Sequence, residues 1–191
     1  MKPERLMAFS DGVIAIIITI MVLELKAPHG AEWAKLASLV PIFLNYILSF
    51  IYVAIYWNNH HHLLHTVETV DGKTLWANMH LLFWLSLIPF ATAWMGENHF
   101  ESLPTAVYGV PLLMSAIAYY ILQSTIIERH GEQGQLAKAV GDDFKGKFSP
   151  VLYTLAIALA FYSPKIALAI YVGTALMWFV PDRRIEKKLE E

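Results

Sequence analysis

Residues 60–65 read HHHLLH, and one turn earlier stand Trp57, Asn58 and Asn59. His61 and His65 are spaced i, i+4, which puts both imidazoles on one helical face, the arrangement from which a metal site is built. Zinc generally asks for three or four ligands with a supporting shell. The nearby sequence supplies no acidic partner except Asp11, and HExxH is absent, so no metal site is expected. A multi-histidine membrane oxygenase needs several separated histidine clusters, and there is one. A membrane protease needs a Ser-His or paired-Asp arrangement, and none is apparent. Enzyme chemistry is therefore not expected. What remains is a set of polar residues in very apolar surroundings: Arg5, Ser10, Asp11, Trp57, His60, Asn78 and His80.

The surroundings set the class. Of the 191 residues 57% are hydrophobic and 16% charged, against roughly 25% charge in a soluble domain. Uncharged runs span Leu36–Val67, Thr74–Gly96, Ser102–Ile127, Phe148–Pro164 and Ile166–Pro181. The first three exceed the roughly 20 residues that a bilayer requires, and the last two reach it if their ends extend slightly. With the segment around Leu6–Leu25, which carries Asp11 and Glu24, six membrane helices are predicted, at about 5–26, 34–66, 74–96, 103–128, 147–163 and 165–182. The expected fold is an all-α integral membrane protein forming one domain over 1–191. The first segment lacks a small-x-small cleavage site, so it reads as a mature helix and not a signal peptide. The net charge of −2 argues against nucleic-acid binding, and with no cysteine there is no disulfide or thiolate site.

Orientation follows from the loops. The N-terminus, the 2–3 and 4–5 loops and the tail hold eleven of the fourteen Lys and Arg residues. Lys26, Lys35 and Lys165 alone fall on the other side. This bias puts both termini in the cytoplasm. The polar stretch RHGEQGQLAKAVGDDFKGK is then an inner loop with about one helical turn.

The polar residues of helices 1 to 3 all fall near the cytoplasmic ends. A buried hydrogen-bonded knot that fixes helix packing is one reading, and direct contact with an ion or proton is the other. A carbonyl potassium filter is not encoded: YVGT at 171–174 has the wrong order for TVGYG and lies in a helical segment.

Helix 1 opens RLMAFSDGVIAI, an Arg-x-x-x-Phe-Ser-Asp motif ahead of a branched apolar run. Helix 2 carries Trp57-x-x-His60, and helix 3 carries Leu75-Trp76-Ala77-Asn78 with Pro89-Phe90 further on. Together these resemble the endosomal and lysosomal potassium channel family, transmembrane protein one-seven-five, in its prokaryotic single-repeat form. The resemblance implies a homotetramer in a prokaryotic plasma membrane, with one pore lined by helix 1 of each subunit. It also implies an apolar constriction in place of a carbonyl filter, potassium as the favoured permeant ion, protons passing in animal members, and no cofactor.

The helical wheel agrees with that implication. Ile20 and Leu23 fall within about 40° of Ile16 and Thr19 about 60° away, with Phe9 and Gly12 extending the face inward. Ser10 and Asp11 lie about 120° or more from Ile16. The expected constriction is Ile16, Thr19, Ile20 and Leu23. The expected structural network is Arg5, Phe9, Ser10, Asp11, Trp57, His60 and Asn78. A branched-aliphatic stripe is also what ordinary packing produces. A proton-coupled transporter or proton leak, using the helix 2 histidines and Asp11, is the alternative function, although transporter-like repeats and paired helix breaks are not evident.

Overall fold

The computed structural model describes residues 2–65, 67, 69–130 and 144–179. Among these every regular element is helical: α1 Pro3–Leu23, α2 Trp33–Ala37, α3 Val40–His65, α4 Gly72–Ser86, α5 Ile88–Glu97, α6 Ser102–His130, α7 Phe144–Ala160 and α8 Pro164–Phe179. The inner loop expected at 129–147 and the basic tail at 183–188 fall largely or wholly outside the described residues.

Two of the six expected helices come in two pieces, and proline explains both. Pro89 has no N–H for the Leu85 carbonyl, and its ring crowds that carbonyl, so the third span breaks at Leu87 into α4 and α5. Ladder bonding resumes at once, with Ala91 N–H donating to Leu87 O at 3.1 Å. Pro41 likewise cannot donate to Ala37, and α2 separates from α3 at Ser38–Leu39. Taken with their partners, Trp33–His65 and Gly72–Glu97 are each long and apolar enough to cross a bilayer, as are α1 and α6. α7 and α8 have 17 and 16 described residues. The described residues thus make six rods.

α6 is the hub, packing on α4, α5, α7 and α8, while α3 joins α1, α5 and α8. α1 packs only on α3, α4 and α5 among its larger contacts, which leaves one of its faces uncovered. Where α6, α7 and α8 meet, glycine is required. A Cβ on Gly109 would collide with the Tyr171 hydroxyl and come within 2.6 Å of Ile157 Cγ1. Around that contact lie four fully buried tyrosines, Tyr52, Tyr108, Tyr153 and Tyr171. Their hydroxyls are used inside the protein: Tyr52 donates to Tyr171 O at 2.6 Å and Tyr171 to Thr105 O at 3.1 Å. In hydrocarbon this pairing is what makes a buried phenol affordable.

Candidate functional site

α1 starts with Pro3 in its first turn, where a missing N–H costs nothing, and with Glu4 at the positive end of the helix dipole. Its buried residues are Leu6, Ser10, Ile14, Ile17 and Met21, a stripe at three- and four-residue spacing centred about 120° from Ile16. The opposite face is bare: Phe9 is 53% exposed, Ile16 60%, Ile20 43% and Leu23 73%. The same β-branched run that fills the core on one side thus presents an apolar face on the other. Thr19 lies on that bare face and donates its hydroxyl to Ala15 O at 2.9 Å. With its proton committed to the backbone, Thr19 Oγ1 turns lone pairs outward.

The buried side carries the polar chain. Ser10 donates to Leu6 O at 2.9 Å, so its oxygen can only accept from elsewhere. It accepts from Asn78 Nδ2 at 3.0 Å. That bond fixes the Asn78 amide and leaves Oδ1 facing His60 Nε2, 2.6 Å away. Since a carbonyl oxygen cannot donate, Nε2 carries the proton of His60. All three side chains are buried, and they join α1, α4 and α3 in one line. A second link is more exposed: Trp57 Nε1 on α3 donates to Asp11 Oδ1 on α1 at 2.9 Å.

Of the seven residues expected in the network, Ser10, Asn78 and His60 form one chain, and Asp11 and Trp57 form a separate pair. Arg5 and Phe9 join neither. Both are exposed on the bare face of α1, and Arg5 makes no hydrogen bond or ion pair with a described residue. His80 accepts from Trp84 Nε1 at 2.9 Å within α4. Among the described residues no three His, Asp, Glu or Cys side chains gather as metal ligands.

A second polar chain escapes sequence reasoning. Asn45 donates to Thr92 O at 2.6 Å, the Thr92 hydroxyl donates to Ile88 O and pairs with Ser49 Oγ, each at 2.7 Å, and Ser49 pairs with Tyr108 at 3.0 Å. It binds α3, α5 and α6 toward the end of the bundle away from His60. Its one legible sign is the polar stripe Asn45, Ser49, Tyr52 on α3, at i, i+4 and i+7.

Beyond the spans, Asp71 caps α4 by accepting from Thr74 N–H at 2.8 Å and pairs with Arg129 of α6 at 2.6 Å. The Thr74 bonds, followed by the guanidinium, hold its carboxyl down at about 2. At the other end of the bundle Lys26 pairs with Glu97 at 2.8 Å, and that carboxylate raises the Lys26 ammonium above its ordinary value.

Comparison with known proteins places this architecture. The family described as endosomal/lysosomal potassium channel TMEM175 matches residues 5–89, which hold α1 and both polar links. A potassium channel of Chryseobacterium sp. (strain P1-3) is 58% identical over 191 residues, covering all of both chains. A potassium channel of Streptomyces collinus is 30% identical over 188 residues, covering 91% of this chain and 90% of that one. The endosomal/lysosomal proton channel TMEM175 of Danio rerio is 24% identical over 133 residues, 67% of this chain and 25% of that one. In three dimensions the chain is similar to the crystal structure of a lysosomal potassium-selective channel TMEM175 homolog from Chamaesiphon minutus. The TM-score is 0.82 at 30% identity, over 93% of this chain and 96% of that one. The six-rod fold, the intramembrane links of α1 and these relatives converge on a channel and not an enzyme: the chain belongs to the TMEM175 potassium channel family, in its single-repeat form.

Proposed function

We propose that this protein is a homotetrameric, potassium-permeable channel in which α1 of each subunit lines one central pore, with Ile16, Ile20 and Leu23 forming an apolar constriction beside Thr19. The observation that carries the reading is the two-faced α1: one stripe is locked by Ser10 and Asn78 into its own subunit, while the other leaves Ile16, Ile20 and Leu23 bare. A single helix cannot enclose a pore, and closed rotational symmetry is the usual way to assemble one from identical chains. Both termini face the cytoplasm, from the eleven-to-three split of Lys and Arg and an even number of crossings. In a prokaryote the membrane is the plasma membrane.

An aliphatic ring offers a cation no ligands, so ions cross by keeping part of their water. Potassium holds its shell less tightly than sodium, and a difference of about 1.4 kcal/mol already gives tenfold selectivity. The same ring can dewet and close, so that filter and gate coincide. Ile16→Ala is expected to widen the ring and raise sodium permeability relative to potassium, read as a shifted bi-ionic reversal potential in reconstituted bilayers. Leu25 lies opposite Ile16 on the wheel but beyond the end of α1, so it is no control. Leu155→Ala is, since Leu155 is exposed on α7, away from α1, and its ratio should not move. An unchanged ratio in Ile16→Ala, or an equal shift in Leu155→Ala, overturns the hydrophobic filter. The name of the Danio rerio relative favours proton passage as a second reading. Vesicles holding a pH gradient and no potassium gradient separate the two.

A further inference from the structure

The last turns of α3 hold four histidines with unequal duties. His60 is buried and committed to Asn78. His61 is half-buried and His65 exposed, and neither makes a hydrogen bond or ion pair with a described residue. Their rings nevertheless meet, with centres 4.4 Å apart and planes at 71°. Two imidazole nitrogens bound side by side on one ion sit about 2.0–2.1 Å from it, which puts the ring centres about 3.2 Å from the ion and about 4.5–5.2 Å from each other. The observed separation lies just below the short end of that range, so a small opening of the two rings reaches it. His61 and its neighbour His62 are 5.8 Å apart, because adjacent residues diverge around the helix. With no hydrogen bond to break, the His61 and His65 rings can turn about χ2 and aim a nitrogen each at a common point.

We propose that His61 and His65 form a two-histidine site for a divalent transition-metal ion at the inner end of α3. No third protein ligand is gathered there among the described residues, and the proposed site takes water in its remaining positions. A bis-imidazole site completed by water suits tetragonal Cu²⁺ or Ni²⁺ better than the closed tetrahedral shell of structural zinc. The Irving–Williams order then ranks Cu²⁺ above Ni²⁺. The site is also connected. The Trp57 ring lies 5.7 Å from His61, and its Nε1 holds Asp11 of α1, so a bound ion braces the turn that carries this link. The helical spacing is written in the sequence; the meeting of two uncommitted rings is what makes a site of it.

The test uses the full chain, purified with a histidine-free tag in a non-chelating buffer and titrated calorimetrically with Cu²⁺ and then Ni²⁺. One Cu²⁺ per chain with a micromolar dissociation constant, and weaker Ni²⁺, is expected. His61→Gln and His65→Gln should each weaken Cu²⁺ more than tenfold. His29→Gln, which changes an exposed histidine of the outer loop, should change nothing. Electron paramagnetic resonance of the Cu²⁺ form should show two coupled imidazole nitrogens in the native chain and one in His65→Gln. Because His65 is exposed, that variant keeps the fold and stands as the decisive one. Absence of saturable binding, equal loss in His29→Gln, or an unchanged two-nitrogen signal in His65→Gln overturns the site.

Discussion

Asp11 and Ser10 are neighbours, yet they are held in different ways. Ser10 is enclosed, with Asn78 above and the Leu6 carbonyl behind it, whereas Asp11 is half-buried and leans on one indole N–H. A hydrogen bond to a charged group is worth about 1.5–3 kcal/mol, and Asp11→Ala should lower stability by about that amount, read as a lower melting temperature or a smaller assembled fraction in detergent. The potassium-to-sodium ratio should not follow, because Asp11 lies about 140° from Ile16 around α1. A variant that assembled normally and changed only its ion preference would put Asp11 in the ion path. Ser10, Asp11, Trp57, His60 and Asn78 were legible in the sequence because polar residues stand out in apolar helices. Arg5 stands exposed with no bond to a described residue, and an arginine at the end of a span looks the same in sequence whether it is paired or solvated. Ser49 and Thr92 were missed because a hydroxyl so readily back-bonds to its own helix, as Thr92 does to Ile88 O, that it announces no partner, and Asn45 because its partner lies on another helix far along the chain.

Among the elements, composition located the six crossings, but the breaks depended on which carbonyl each proline deprives. Pro89 was visible as a motif residue. That it divides its span at Leu87 could be read only from the bonding on either side. The contact of α6 with α7 and α8 is likewise invisible in sequence, since Gly109 resembles any other helical glycine. Gly109→Ala would gain about 1 kcal/mol of helix propensity but force Tyr171 and Ile157 apart, at a typical overpacking cost of about 1–3 kcal/mol. A net fall in melting temperature is expected, and a rise would mean that the helices separate freely there. Beyond the spans, Asp71 joins the start of α4 to Arg129 of α6. Its folded carboxyl is held at about 2 against an ordinary 3.8, so its stabilisation is present above the higher value and is lost as pH falls toward the lower. Melting curves of Asp71→Asn should therefore be lower near neutrality and lack that part of the native chain's acid-dependent decline. Parallel native and variant curves over this interval would contradict the cap.

At the scale of the whole molecule, the bare face of α1 needs company. Native mass spectrometry in mild detergent is expected to return four chains. A stable monomer or dimer that still conducts after reconstitution would count against the tetramer. Sequence reading reached the all-helical membrane fold because lipid imposes length on the helices that cross it. It could not reach the hub role of α6, because which rods touch is decided by pairs such as Gly109 and Tyr171, far apart in the chain.

The length of α3 reaches beyond the protein. At about 1.5 Å per residue its 26 residues measure about 39 Å, against a hydrocarbon slab about 30 Å thick. A rod longer than the slab leans or thickens the lipid beside it. The lean is shared, because α3 is bonded to α1 through Trp57 and Asp11 and to α4 through His60 and Asn78. Membrane thickness thus acts on three helices through one rod, and a thinner bilayer asks all of them to tilt further.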